Sequence, residues 1–287
     1  MEYRDNSILI EAKEVFNKLG NENLVIIDCD VSELYQRAHI KGAITLPVHH
    51  YIKQSGYEKS AIEYPHIMNK TEFEELVNML NINSKSEIIA YDNSGNLYSS
   101  RFWWCLNYFG LRNVKILNGG WKEWLHYDYP IDSGFNYAFK KTSTPNLAKS
   151  DIKIKQNENY ICKLDDLKKL INDPNSVILD TRNIDEYTGS NSRGNKRVGH
   201  VPGSVNIEWL EFIDENNNNK FKSQNEIESI LNKQNITYEK QIATYWQGGI
   251  RAAHVFVVLK LIGYKNIKVY DASMGEYANL ENTELEI

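Results

Sequence analysis

Cysteine is scarce: Cys29, Cys105 and Cys162 are the only three in 287 residues. The count is odd and no two stand in a C-x-x-C spacing, so a disulfide framework is not expected. Long apolar runs are missing too. None approaches the roughly twenty residues that span a bilayer, and no membrane partner is expected. The opening Met1-Glu2-Tyr3-Arg4-Asp5-Asn6 lacks the basic-then-apolar layout of a secretory signal. A cytoplasmic protein is the expectation. Basic residues are in deficit, with 33 Lys and Arg against 38 Asp and Glu and a formal net charge of −5. That balance argues against a nucleic-acid partner, which calls for a basic stripe. It leaves room for a local basic pocket that takes a small anion.

What is present is globular. Hydrophobic residues make up 41% and charged residues 25%, enough apolar material for a core. The length fits one large domain or two ordinary ones. An internal repeat decides between them. Val25-Ile26-Ile27-Asp28 returns as Val177-Ile178-Leu179-Asp180. His39-Ile40-Lys41-Gly42-Ala43-Ile44 returns as His200-Val201-Pro202-Gly203-Ser204-Val205. Ile88-Ile89-Ala90-Tyr91 returns as Ile242-Ala243-Thr244-Tyr245, and the Gly110-Leu111-Arg112-Asn113 region as Gly263-Tyr264-Lys265-Asn266. The order is kept throughout, which implies duplication: a first domain over 1–132, a linker over 133–156, and a second domain over 157–287.

Each repeat alternates short β-rich apolar runs with amphipathic segments. Runs 24–28, 88–91, 114–117, 177–180, 242–245 and 267–270 read as buried strands. Segments 72–80, 99–109, 225–234 and 251–262 read as helices. The alternation predicts an α/β fold, each half a mainly parallel sheet with helices on both faces. Ligands then sit beyond the carboxyl ends of the strands, so the loops after Tyr91 and Tyr245 are the candidate sites. The polar tract Asp214–Asn219 reads as a solvated loop. Residues 189–199 are an insertion found only in the second repeat, carrying Arg193, Lys196 and Arg197.

The loop after Tyr245 is Trp246-Gln247-Gly248-Gly249-Ile250-Arg251. Two glycines let successive N–H groups turn inward. The following helix adds its positive end, and Arg251 adds a charged fork. The alternative is a tight strand-to-helix turn with Arg251 in a structural ion pair. The matching loop of the first repeat runs from Asp92 to Arg101 and is four residues longer.

The repeat, the His-x-x-Gly turns, the Gly-Gly-Ile-Arg-Ala loop and the Gly-Tyr-x-Asn run resemble the rhodanese family. More narrowly, they resemble its tandem-domain thiosulfate and 3-mercaptopyruvate sulfurtransferases. The resemblance implies two rhodanese-like domains, no cofactor and no metal. It implies an active loop in the second domain with the pattern Cys-x-x-Gly-x-Arg, whose Cys carries sulfur as a persulfide. Here Trp246 occupies the Cys position, while Gly249 and Arg251 fit the pattern. By the same resemblance the Asp92 to Arg101 loop is the inactive-type loop of the first domain, and Arg197 is a substrate-binding arginine. Arg182 is a second substrate-binding candidate; its competing role is an ion pair with Glu186 or another nearby carboxylate.

No cysteine replaces the missing nucleophile in sequence. Cys105 lies on an apolar helix, Cys162 near a domain entrance, and Cys29 at a strand's carboxyl end but in the wrong loop. His39 and His200 recur at equivalent places and read as structural, and His254 as packed. Trp103, Trp104, Trp121 and Trp124 read as core or interface. Three functional readings follow. The first is a pseudoenzyme that binds a small thio-anion without double-displacement transfer. The second is an active sulfurtransferase that passes sulfur directly to a bound thiol acceptor. The third is a non-catalytic binding or regulatory module. A phosphatase reading fails for want of the nucleophile.

Overall fold

The structure is a computed structural model, described here for residues 3–51, 67–134 and 150–287. The first repeat contains β1 (Leu9–Ile10), α1 (Ala12–Lys18), β2 (Leu24–Asp28), α2 (Ser32–Arg37), β3 (His39–Ile40), β4 (Ile44–Thr45) and α3 (Val48–Tyr51). It continues with α4 (Lys70–Met79), β5 (Glu87–Tyr91), α5 (Leu97–Tyr108), β6 (Val114–Leu117), α6 (Gly120–His126) and β7 (Ile131–Asp132). The second contains β8 (Ile161–Cys162), α7 (Leu164–Leu170), β9 (Ser176–Asp180), α8 (Ile184–Tyr187), β10 (Val205–Asn206), β11 (Ile213–Asp214) and β12 (Lys220–Phe221). It ends with α9 (Gln224–Asn232), β13 (Gln241–Tyr245), α10 (Ile250–Leu261), β14 (Ile267–Tyr270) and α11 (Ser273–Tyr277).

Two five-stranded sheets result, ordered β1-β6-β5-β2-β4 and β8-β14-β13-β9-β10. Every pairing within them is parallel. The two orders are the same permutation. The central strands are Val- and Ile-rich and buried, as strands covered on both faces must be. The edge strands have two residues each and carry no periodicity, so the sequence pattern does not reveal them. Both candidate loops leave a central strand at its carboxyl end, where a parallel sheet presents ligands.

The helices that follow those loops, α5 and α10, pack against each other and join the halves. Ten residues of α10 are buried, including Val255, Phe256, Val257 and Val258. A helix apolar on every side has to sit inside a core. The main core cluster accordingly runs through both repeats, from Phe73 and Trp104 to Phe212 and Phe256. At roughly 1.5–3 kcal/mol for each large apolar side chain buried, this seam holds the repeats as one packed unit. The described part of the expected linker, 150–156, lies along the first repeat: Lys155 N–H donates to Phe109 O and Asp151 accepts from Ser84. The rest of that linker falls outside the described residues, and no helix among those described is long and apolar enough to cross a membrane.

Candidate functional site

β13 ends at Tyr245, and Trp246 is the first residue beyond it. The loop's carbonyls turn toward α11. Trp246 O accepts from Met274 N–H and Gln247 O from Gly275 N–H, both at 2.9 Å. Trp246 N–H donates to Ser273 Oγ at 3.1 Å. Gly249 then takes the left-handed conformation, φ +82°, and α10 begins at Ile250. With the carbonyls committed, the N–H groups of Gln247, Gly248, Gly249, Ile250 and Arg251 have no protein acceptor among the described residues. These are the N–H groups that the expected cradle would use, and the loop ends at the positive terminus of a twelve-residue helix.

Gly249 is needed twice over. Its φ lies where only glycine rests without strain, and a Cβ there would run into the Asp271 carboxylate. Gly248 has open space around it. Ser273 also sits at positive φ, +53°; its hydroxyl bridges Tyr270 O and Trp246 N–H. That bridge is what a strained, fully buried serine does here.

The Trp246 ring is half-buried against the main core. The Arg251 guanidinium lies over it at 4.7 Å and Arg193 at 5.8 Å from the ring centroid. Both arginines also meet Glu186, Arg251 at 3.1 Å and Arg193 at 3.3 Å. Glu186 is held in place by a capping box, its backbone and side chain exchanging hydrogen bonds with Asn183 at the start of α8. Burial lowers the Arg251 pKa and the Glu186 carboxylate opposes that shift. The insertion folds onto the loop: Asn195 and Gln247 exchange two amide hydrogen bonds of 2.9 and 2.8 Å, and Asn279 secures Asn195 at 3.1 Å. The indole N–H of Trp246 is buried with no acceptor among the described residues.

Arg197 and Arg182 do not join this group. The Arg197 guanidinium is occupied by backbone carbonyls of Tyr277, Ala278, Leu280 and Thr283 and by the Thr283 hydroxyl. It clamps the C-terminal segment. Arg182 is 2% exposed, paired with both oxygens of Asp180 and donating to Gly199 O. Its partner is therefore Asp180, while Glu186 goes to Arg251 and Arg193. Neither guanidinium is free to bind a substrate in this arrangement, because each would first have to abandon buried acceptors.

The first-repeat loop is filled by its own side chain. Asp92 is 1% exposed and accepts from Ser94 N–H (2.8 Å), Ser99 N–H (2.8 Å) and Ser99 Oγ (2.7 Å). Desolvation raises its pKa against those hydrogen bonds. Asp30 stands beside it, accepting from Asn93 N–H and Ser94 Oγ. Burial, with the Asp92 charge, pushes Asp30 up to about 7, and burial pushes Asp28 up to about 6. Arg101 does not turn into this loop. It crosses to the second repeat and pairs with Asp271 at 2.5 Å, both side chains buried.

The polar tract 214–219 is a loop as expected, with Glu215 and Asn216 exposed, but part of it is not free in solvent. It is the turn joining β11 to β12, and it docks on the first repeat. Asn218 donates to Glu123, Asn96 donates to Asn219 O, and Lys220 pairs with Glu123 at 2.7 Å and Glu11 at 3.1 Å. The Asp92 loop is thus covered by the other repeat. A separate cavity of about 560 Å³ opens between the repeats, lined by Asn69, Tyr108, Glu158, Cys162, Lys163 and Glu276 among others; no residue of the cradle lines it.

All three cysteines are buried. Desolvation raises each thiol pKa well above the ordinary range, Cys162 to about 12, which suppresses the thiolate. Cys162 closes β8, so it too stands at a strand's carboxyl end, a place the sequence reading gave to Cys29 alone. His39 and His200 stack on Tyr35 and Tyr187 and bond to those residues' carbonyls. His254 is fully buried, its pKa pushed down to about 3 by desolvation. Trp103, Trp104 and Trp124 are buried in the core. The sequence reading missed the roles of Ser273, Glu186 and Asp271. Continuing the repeat would have flagged one of them, since Ser273 falls on Gly120, which holds the same positive φ.

Residues 11–127 and 163–280 each match the rhodanese-like domain family. The chain belongs to it. Among curated relatives, a thiosulfate sulfurtransferase of Pseudomonas aeruginosa is 24% identical over 99% of this chain and 99% of its own. A 3-mercaptopyruvate sulfurtransferase of Escherichia coli is 26% identical over 87% of this chain and 84% of its own. A crystal structure of a 3-mercaptopyruvate sulfotransferase from Escherichia coli superposes with a TM-score of 0.77 at 23% identity. It covers 92% of this chain and 98% of that one, and so shares the fold over both repeats.

Proposed function

We propose that this rhodanese-like protein is of the thiosulfate and 3-mercaptopyruvate sulfurtransferase kind, keeps the anion site of its second repeat, and lacks the persulfide carrier. The observation that carries this is the loop itself: five N–H groups without a protein acceptor among the described residues, with Trp246 where a nucleophile would stand. Donors arranged in advance and left unpaired are an anion site. An indole cannot hold a sulfane sulfur, and the three thiols are buried with raised pKa values. The ligand class is a small thio-anion, thiosulfate or 3-mercaptopyruvate, bound without double displacement.

The placement of Arg251 supports the binding reading over direct transfer. It is tied to Glu186 and stacked on Trp246, which shapes the rim of the cradle and spends the charge that would stabilise a transferring sulfur. The test is turnover of thiosulfate with cyanide, and of 3-mercaptopyruvate with a dithiol, for the parent and for Trp246→Cys. Turnover is expected in the variant alone. Appreciable turnover by the parent would overturn the proposal in favour of direct transfer to a bound thiol.

A further inference from the structure

Asp271 is an anomaly in an anion site. It follows β14, the strand paired with β13, is 1% exposed, and stands so close under Gly249 that a Cβ there would strike its Oδ1. A bare carboxylate in that position would oppose any anion held by the N–H groups above it. The opposing charge comes from the other repeat. Arg101, on α5, places Nη1 2.5 Å from Asp271 Oδ1 and 3.1 Å from where the Gly249 Cβ would be. Its guanidinium is 4.6 Å from the Trp104 ring centroid and is 3% exposed. The second carboxylate oxygen accepts from Ile67 N–H at 2.6 Å. Cys105 and Tyr108, both on α5, also feel the Asp271 charge, but neither carries a compensating one.

We propose that Arg101 is a positioning residue for the anion site of the second repeat: it neutralises Asp271 beneath Gly249, so the site is electrostatically complete only when both repeats are in place. The inference rests on the anion-binding reading above. It gives the first repeat a task that its own filled loop does not suggest. A guanidinium suits the task because it stays protonated when buried. At these separations a buried unit charge changes the energy of a second one by enough to move binding about tenfold or more.

The experiment is calorimetric titration of the full chain with thiosulfate at fixed ionic strength, with thermal melting alongside. Arg101→Met leaves Asp271 uncompensated and is expected to bind about tenfold more weakly. Arg101→Lys keeps the charge and is expected to stay within about threefold of the parent. Arg101→Met combined with Asp271→Asn is expected to recover parental affinity. Asp271→Asn alone frees the Arg101 charge and is expected to bind several-fold more tightly, an effect that simple loosening of the fold does not produce. Arg101→Met binding like the parent, or the double variant binding no better than Arg101→Met, overturns the inference. So does a weaker Asp271→Asn, which keeps the test decisive even where Arg101→Met fails to fold. A parent that binds no thiosulfate sinks the anion-binding reading itself, and that result is separable because it appears before any variant is compared.

Discussion

The two loops that follow β5 and β13 leave the equivalent strand of two separate sheets and have opposite contents. In the first repeat a carboxylate, Asp92, bends back into the loop and takes the N–H groups of Ser94 and Ser99. In the second, an indole stands at the same position and the N–H groups have no protein acceptor among the described residues. Their arginines differ as well. Arg251 stays with its own loop through Glu186, and Arg101 leaves its loop to reach Asp271 in the other repeat. One loop is covered by the β11–β12 turn, and the other is edged by the 189–199 insertion. The equivalent loop is filled by its own acid in one repeat, and in the other its N–H groups have no protein acceptor among the described residues.

That contrast can be broken at several points. The largest effect is expected where the two repeats trade residues behind their loops. Gly120 and Ser273 share a φ near +50°, at +52° and +53°, but a Cβ on Gly120 would overlap the Asp92 carbonyl. Gly120→Ser is expected to cost about 3 kcal/mol or more in urea unfolding. Ser273→Gly loses two hydrogen bonds, from Trp246 N–H and to Tyr270 O, but gains conformational ease, and is expected to cost less, about 1–2 kcal/mol. Equal costs would show that the two loops are not built against different neighbours.

Asp92→Ala should cost next most, about 2–3 kcal/mol, because it strands two N–H groups and the Ser99 hydroxyl in a buried site. It should leave thiosulfate affinity of the second repeat unchanged; a matching loss of affinity would mean the loops are not independent. A smaller effect is expected from pH. Asp28 and Asp30 normally ionise near 3.8, but here at about 6 and about 7. Between about pH 4 and pH 7 the folded chain therefore holds protons the unfolded chain has released. Their contribution favours folding at the acid end of that window and is lost as pH rises toward 7. Melting is expected a few degrees higher at pH 5 than at pH 8, and Asp30→Asn should flatten the difference. A parent whose melting rises over the same interval would contradict the assigned burial of these carboxyls.

The duplication, the six central strands and the four helices singled out were legible because each has a strong period and a matching copy. The short edge strands were not, since two residues carry no period. The strand-to-helix turn after β13 was legible from its paired glycines, of which Gly249 takes the positive φ that its type allows. Its supports were not. Asp271 and Ser273 look ordinary in sequence, and what makes them matter is the turn of the loop's carbonyls toward α11. Arg197 and Arg182 illustrate the converse. A basic residue near a loop reads as a ligand, but carbonyls and carboxylates inside the fold had already taken both guanidinium groups. The tract 214–219 reads as solvated from its composition, and only the neighbouring repeat gives its asparagines partners.

The most direct test of an open second cradle beside a filled first one is the stoichiometry of thiosulfate binding to the intact chain by calorimetry. One anion per chain is predicted, lost in Gly249→Ala and kept in Gly248→Ala. No binding, two anions per chain, or one anion that persists in Gly249→Ala would contradict it.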